Sequence, residues 1–201
     1  MDDSISVNEL NNKIEHFKDI SNPFKRSLCV LGVITQAMIT YGIRPILVGG
    51  GAVEFYTLGS YTTKDLDLIV EGREKAKTAL DNLKFKRRSG ARHWYRDDLD
   101  LAIEIPDDYL AGSMEKVTKV LIDNMPVYII GIEDLLIDRL SAYKFWKSQS
   151  DGEWAARIML IHMDDIDWAY LDEVAITANV QDVLTETKNT VNDLKKEERE
   201  E

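Results

Sequence analysis

Asp65 and Asp67 stand two residues apart in Asp65-Leu66-Asp67-Leu68-Ile69-Val70, where acids and apolar residues alternate with the period of a β-strand. Strand rise puts such carboxylates about 6–7 Å apart on one face. Like charges so placed raise each other's pKa unless a cation screens them, and a hard, oxygen-seeking ion such as Mg2+ suits that role. Just upstream, Ile46-Leu47-Val48 reads as a buried strand that opens into Gly49, Gly50 and Gly51 and then a short helical stretch, Ala52 to Leu58. A strand passing through glycines into a helix lets backbone N–H groups approach an anion, because no Cβ intervenes and the helix N-terminus is partly positive.

A third acid is available downstream. In the segment His93 to Pro106, period-two alternation sets Asp98, Asp100, Ala102 and Glu104 on one face, with Leu99, Leu101, Ile103 and Ile105 on the other. An antiparallel neighbour would bring Glu104 near the start of the Asp65 strand, and a parallel one would bring Asp98 or Asp100. Glu104 is the preferred third acid, with Asp100 next. His16, His93 and His162 lack the spacing of metal ligands, and Asp164, Asp165 and Asp167 lack the glycine and glutamate of a calcium loop. Ser60 has no His and Asp near it in sequence to make it a nucleophile.

These residues need a scaffold, and the chain has the length for one. Its 201 residues are 44% hydrophobic and 30% charged with only 4 prolines, which excludes collagen-like and wholly disordered chains. The formal net charge of −11 argues against a generic nucleic-acid coat, because the whole surface would repel phosphate. Cys29 is the single cysteine, which excludes an internal disulfide and fits a reducing compartment. The acidic start, Met1 to Leu10, lacks the order of a secretory signal, and the longest uncharged stretch, Ser27 to Ile43, is short of a bilayer span. A cytoplasmic protein with no membrane partner is expected.

Apolar spacing predicts helices over about Val7 to Ile20 and Phe24 to Tyr41, the second apolar nearly all round and so a back wall for the core. Arg73 to Leu83 reads as a crossover helix. Strands are expected at Arg92 to Tyr95, Leu99 to Ile105, Lys116 to Asp123 and Val127 to Ile130. From Ile132 the period becomes helical, with Trp146, Trp154 and Trp168 read as core packing. The fold class is therefore α/β (α+β), a small mixed sheet flanked by helices. Residues 1–131 are expected to form an α/β core with N-terminal helices, 132–194 a helical appendage, and 195–201 a frayed charged tail.

Glycine turn, short helix, Asp-x-Asp entering a strand and an acid on a later strand resemble the nucleotidyltransferase superfamily that includes DNA polymerase beta and the CCA-adding enzymes. The match runs over about residues 45–105: Gly50-Gly51, a spacer from Ala52 to Lys64, then Asp65-Leu66-Asp67. It is most similar to minimal and abortive-infection toxin-like members. The resemblance implies a nucleotidyltransferase-like core, Asp65, Asp67 and Glu104 as ligands of Mg2+, and Glu104 or Asp100 as the acid that activates the attacking hydroxyl. It also implies Gly50 and Gly51 on the triphosphate, with Arg139 and Lys144 reaching the nucleotide from the following helix and Asp151 as a partner. The implied activity is Mg2+-dependent transfer of a nucleoside monophosphate from an NTP to a hydroxyl acceptor, RNA or protein. The alternative is an inactive binding or antitoxin module, and the toxin-like likeness implies an antitoxin-type partner protein. For an RNA acceptor, the basic strip is Lys84 to Arg96, with Lys84, Lys86, Arg87, Arg88, Arg92 and Arg96 interleaved with Trp94 and Tyr95.

Overall fold

The computed structural model describes residues 5–87 and 93–200, with the side chains of 197–200 left out. Two helices come first, α1 (Val7–Phe17) and α2 (Pro23–Ile39). Ser6 and Glu9 form a capping box at α1, and Asn22 caps α2 with Pro23 in its first turn, so both starts are fixed by local chemistry. Then follow β1 (Ile46–Val48), α3 (Gly49–Tyr56), β2 (Asp65–Ile69), α4 (Arg73–Asn82), β3 (Lys86–Arg87), β4 (His93–Arg96) and β5 (Leu101–Glu104). A hairpin of β6 (Thr118–Ile122) and β7 (Met125–Ile129) completes the sheet, and α5 (Ile132–Trp146), α6 (Gln149–Ile161), α7 (Trp168–Thr177) and α8 (Gln181–Glu200) complete the chain.

The seven strands lie in the order β3-β4-β5-β2-β1-β7-β6. β1 is antiparallel to β2 and parallel to β7, while β2 is parallel to β5, so the sheet is mixed. Register and alternation put Leu47, Leu66, Leu68, Trp94 and Ile103 on one face, all buried. α2 packs on that side, Gly32 lying close to Met125 of β7, and ten of its residues are buried, as a back wall requires. The other face carries Val48, Asp65, Asp67, Glu104 and His93. The hydrophobic cluster continues from the sheet through Leu135, Leu136 and Leu140 of α5 to Ile158, Leu171 and Val191.

Several expectations shift. α3 begins at the glycines themselves, three residues earlier than the sequence reading, because Gly49 turns at φ +58° directly out of β1. A 3-10 turn over Asp97–Leu99 interrupts the long strand expected from Leu99, and Asp100 follows it at φ +48°. Lys195 to Glu200 continue α8. Trp146 is 82% exposed because α5 ends there, at Lys147 with φ +59°, while Trp154 and Trp168 are partly buried against the core.

The basic strip also divides. Trp94 and Arg96 alternate onto the buried face, and Arg96 is only 5% exposed. Its guanidinium donates to Leu83 O at 3.0 Å, to Glu15 Oε1 at 3.2 Å and to Asp98 Oδ2 at 2.6 Å, tying β4 to α1 and to the end of α4. Asp98, which also pairs with Lys18 at 2.6 Å, is held well below the usual carboxylate range, chiefly by Arg96. Arg88 and Arg92 lie outside the described residues. Arg96→Met is expected to destabilise by about 2–4 kcal/mol in urea denaturation, since it strips a buried carbonyl of its donor and leaves Glu15 and Asp98 with Lys18 alone, whereas the exposed Lys86→Met should stay within about 0.5 kcal/mol. Equal small effects would return Arg96 to the surface.

Candidate active site

The acids meet through strand pairing. β2 and β5 run parallel with Asp65 opposite Ala102 and Asp67 opposite Glu104, so Asp65, Asp67 and Glu104 share one face over two adjacent strands. Parallel pairing brings Glu104, and neither Asp98 nor Asp100, to Asp67. The 3-10 turn delays the start of β5 to Leu101 and displaces both aspartates from the strand face. Asp98 is engaged by Arg96 and Lys18, and Asp100 by Lys64 at 2.6 Å.

The glycine turn closes over the acids. Antiparallel pairing sets Val48 opposite Asp67, and the next residue is Gly49. A Cβ at Gly49 would overlap Asp67 Oδ2, and its φ of +58° is in the left-handed region, so both space and backbone call for glycine. The Gly50 N–H donates to Asp67. Gly51 is buried over Leu47, whose Cδ1 would lie 2.8 Å from an added Cβ, so this glycine lets α3 settle on the core.

The row is electrostatically unbalanced. Burial, then the charges of Glu104 and Asp65, push the Asp67 carboxyl up to about 6, against the smaller opposing pulls of the Gly50 N–H and Arg139. Hard oxygen donors that repel one another fit a divalent cation such as Mg2+. Among the described residues no group of three or more Asp, Glu, His or Cys side chains is arranged to hold a metal ion by itself. Mg2+ is ordinarily held by one or two carboxylates together with phosphates and water, so an open pair on β2 with Glu104 beside it suits that ion.

Arg139 of α5 is near enough for its field to reach Asp67, and Tyr61 lies in turn within the field of Arg139. Its guanidinium pairs with Asp138 and donates to Asp151 Oδ1 at 2.7 Å. Burial works to lower its pKa, and Asp138 and Asp151 more than offset that, raising it. Lys144 is elsewhere: its Nζ donates to Asn179 O at 2.6 Å and Asp182 Oδ1 at 2.7 Å, clamping the start of α8.

Two neighbours escaped the sequence reading. Tyr61 packs its ring beside Gly50 and edge-on to Trp154, centroids 5.1 Å apart, and no motif points to it. His93 pairs across the strands with Glu104, Nε2 to Oε2 at 2.9 Å, which a hairpin count from Glu104 back along β4 would have found.

No family model matches the chain, and no curated protein does either. Among solved structures, an antigenic nucleotidyltransferase-like protein from Paracoccidioides brasiliensis superposes with a TM-score of 0.54 over 84% of this chain and 93% of its own, at 16% identity. The fold is that of a nucleotidyltransferase. The solution structure of the antibiotic-resistance factor ANT(2'')-Ia is similar at a TM-score of 0.47 and 13% identity, over 84% of this chain and 94% of its own. The nucleotidyltransferase fold and the acidic face thus occur in one chain, while no helix among the described residues is long and apolar enough to cross a membrane.

The raised Asp67 has a measurable consequence in metal-free protein. Folded Asp67 keeps its proton up to about pH 6 against an ordinary value of 3.8, so its contribution to stability is present below pH 3.8 and is lost as pH rises to about 6. Above that range ionised Asp67 costs roughly 1–3 kcal/mol. With chelator present, Asp67→Asn is expected to melt higher than wild type at pH 7.5, and the gain should vanish near pH 4. A variant melting at or below wild type at pH 7.5 would contradict the charge imbalance.

Proposed function

We propose that the protein transfers a nucleoside monophosphate from a nucleoside triphosphate to an acceptor hydroxyl, in a reaction that depends on Mg2+. One observation carries the reading: Asp65, Asp67 and Glu104 form an under-compensated acidic row against the Gly49-Gly50 turn, on a nucleotidyltransferase fold. Asp65 and Asp67 would hold Mg2+, which supplies charge neutralisation and alignment of the triphosphate when bound. Asp67 turned away from Gly50 leaves that N–H for a phosphate oxygen at the positive end of α3. Glu104 takes the proton of the attacking hydroxyl. The acceptor oxygen bonds to the α-phosphorus, the bond from that phosphorus to the α–β bridging oxygen breaks, and pyrophosphate departs.

Arg139 is the cation of α5 that this reading retains, since Lys144 serves α8. The acceptor is proposed as RNA or protein. For RNA the exposed basic surface among the described residues is Lys84, Lys86 and Arg87, because Trp94 and Arg96 turn inward.

The test incubates the protein with each α-labelled NTP, Mg2+, and total RNA or protein extract in separate arms. Label transfer is expected in one arm, and chelation, Asp65→Asn or Asp67→Asn should each abolish it while circular dichroism stays native. If RNA is labelled, reversing Lys86 and Arg87 to Glu should weaken labelling and flatten its salt dependence by roughly one logarithmic unit for each phosphate no longer neutralised. No label in any arm is the outcome expected of an inactive binding or antitoxin module, and transfer retained by both aspartate variants would overturn the metal assignment.

A further inference from the structure

The acidic row does not end at Glu104. Across the antiparallel β4–β5 pairing, His93 stands directly opposite Glu104, which itself stands opposite Asp67 on β2. A single line thus crosses the sheet: His93, Glu104, Asp67 and Val48, with the glycine turn at its far end. The imidazole Nε2 lies 2.9 Å from Glu104 Oε2, and the two side chains are 48% and 24% exposed. Among the described residues His93 is the hydrogen-bond partner Glu104 has.

We propose that His93 is the positioning residue of Glu104, an inference that rests on the nucleotidyl-transfer reading above. A glutamate on a half-open sheet face has three side-chain torsions to fix, and strand pairing fixes none of them. Left alone, its carboxylate would turn towards water and away from Asp65 and Asp67, whose charges repel it. The Nε2–H donated by His93 commits Oε2 and holds the carboxylate in the plane of the row. Oε1 is left as the oxygen that receives the acceptor proton. The strand supplies the height of the carboxylate above the sheet, and the imidazole supplies its direction.

Hydrogen-bond partners that orient metal-ligating side chains typically contribute 10–100-fold to affinity or activity, and the same scale is expected for a group that orients a carboxylate in such a site. His93→Leu is therefore expected to lower kcat roughly 10–100-fold while leaving KM for the NTP within about twofold, since the nucleotide is held from the other flank. His93→Gln keeps a side-chain N–H donor and should recover most of the loss. Melting temperatures of both variants are measured alongside. An activity-independent readout is the long-range 1H–15N spectrum of the imidazole in wild type and in Glu104→Gln, where the His93 nitrogens should shift if the contact exists. Unchanged His93 resonances in Glu104→Gln, a wild-type kcat in His93→Leu, or an equal fall in both His93 variants together with a lowered melting temperature would each overturn the positioning role. Active wild type with indifferent His93 variants defeats this inference alone. Inactive wild type defeats the nucleotidyl-transfer reading, and this inference with it.

Discussion

The register between β2 and β5 is the constraint from which the rest follows. Leu66 and Leu68 must be buried with Ile103, and because side chains alternate, that burial puts Asp65, Asp67 and Glu104 together on the opposite face. A slip of one residue would send two carboxylates into the core and two leucines towards water, which costs far more than any like-charge repulsion on an open face. Repulsion among the acids is therefore tolerated as a consequence of packing. The glycine turn belongs to the same constraint: Val48 is paired with Asp67, and the residue after Val48 can pass over the carboxylate only without a Cβ.

Two buried acids of α5 show what a satisfied carboxylate looks like in this chain. At the start of α5, Asp134 accepts from the Tyr170 hydroxyl and from the Ser113 N–H, each at 2.8 Å, and Glu133 accepts from the Asp167 N–H at 2.7 Å. These carboxylates pin the loop before β6, α5 and α7 together, and they are acids with their donors supplied. Burial pushes the Tyr170 hydroxyl up to about 12, and the Asp134 carboxylate adds to that, so the contact persists at neutral pH. Asp67 has one N–H and a distant arginine against two neighbouring charges. Glu54 of α3, also buried, is raised by burial alone and opposed by the Thr63 backbone, whereas at Asp67 the charges of Glu104 and Asp65 add to burial, and that combination is what gives the row a chemical meaning.

Much of this was legible in the sequence, and the failures have physical causes. Acid–apolar alternation at Asp65 to Val70 gave the strand and its exposed face, and the three glycines marked the turn. Glu104 came from the same alternation, although the expected consequence of a parallel neighbour was reversed. The offset between β2 and β5 depends on where the Asp97–Leu99 turn ends, with Asp100 at φ +48°, and a single chain does not announce that stagger. Periodicity likewise counts faces without assigning them, so Arg96 and Trp94 read as part of a basic strip while β4 buries them as a pair. Lys144 lies off the apolar stripe of α5, as expected, yet its partner is a helix that folds back from 35 residues later in the chain. Contacts between distant segments, His93 with Glu104 and Tyr61 with Gly50 among them, follow from topology and leave no local pattern.

Charge accounting limits how a triphosphate can be held. The chain carries a net −11, and among the described residues Arg139 is the cation whose field reaches Asp67, already matched by Asp138 and Asp151. A guanidinium presents a planar fork that suits carboxylate and phosphate alike, so exchange of Asp138 for a phosphate oxygen replaces one charge-assisted pair by another and yields little net energy. Asp138 is half exposed and returns to water at small cost, whereas Asp151 is 23% exposed and better placed to keep its hold. Arg139 would, on the proposed reading, orient an incoming phosphate while Asp151 fixes the guanidinium from behind, but it cannot supply the bulk of the neutralisation that three phosphates require. On the proposed reading that bulk falls to the divalent cation at Asp65 and Asp67, so nucleotide affinity should be conditional on metal in a way that a lysine-rich phosphate site would not show.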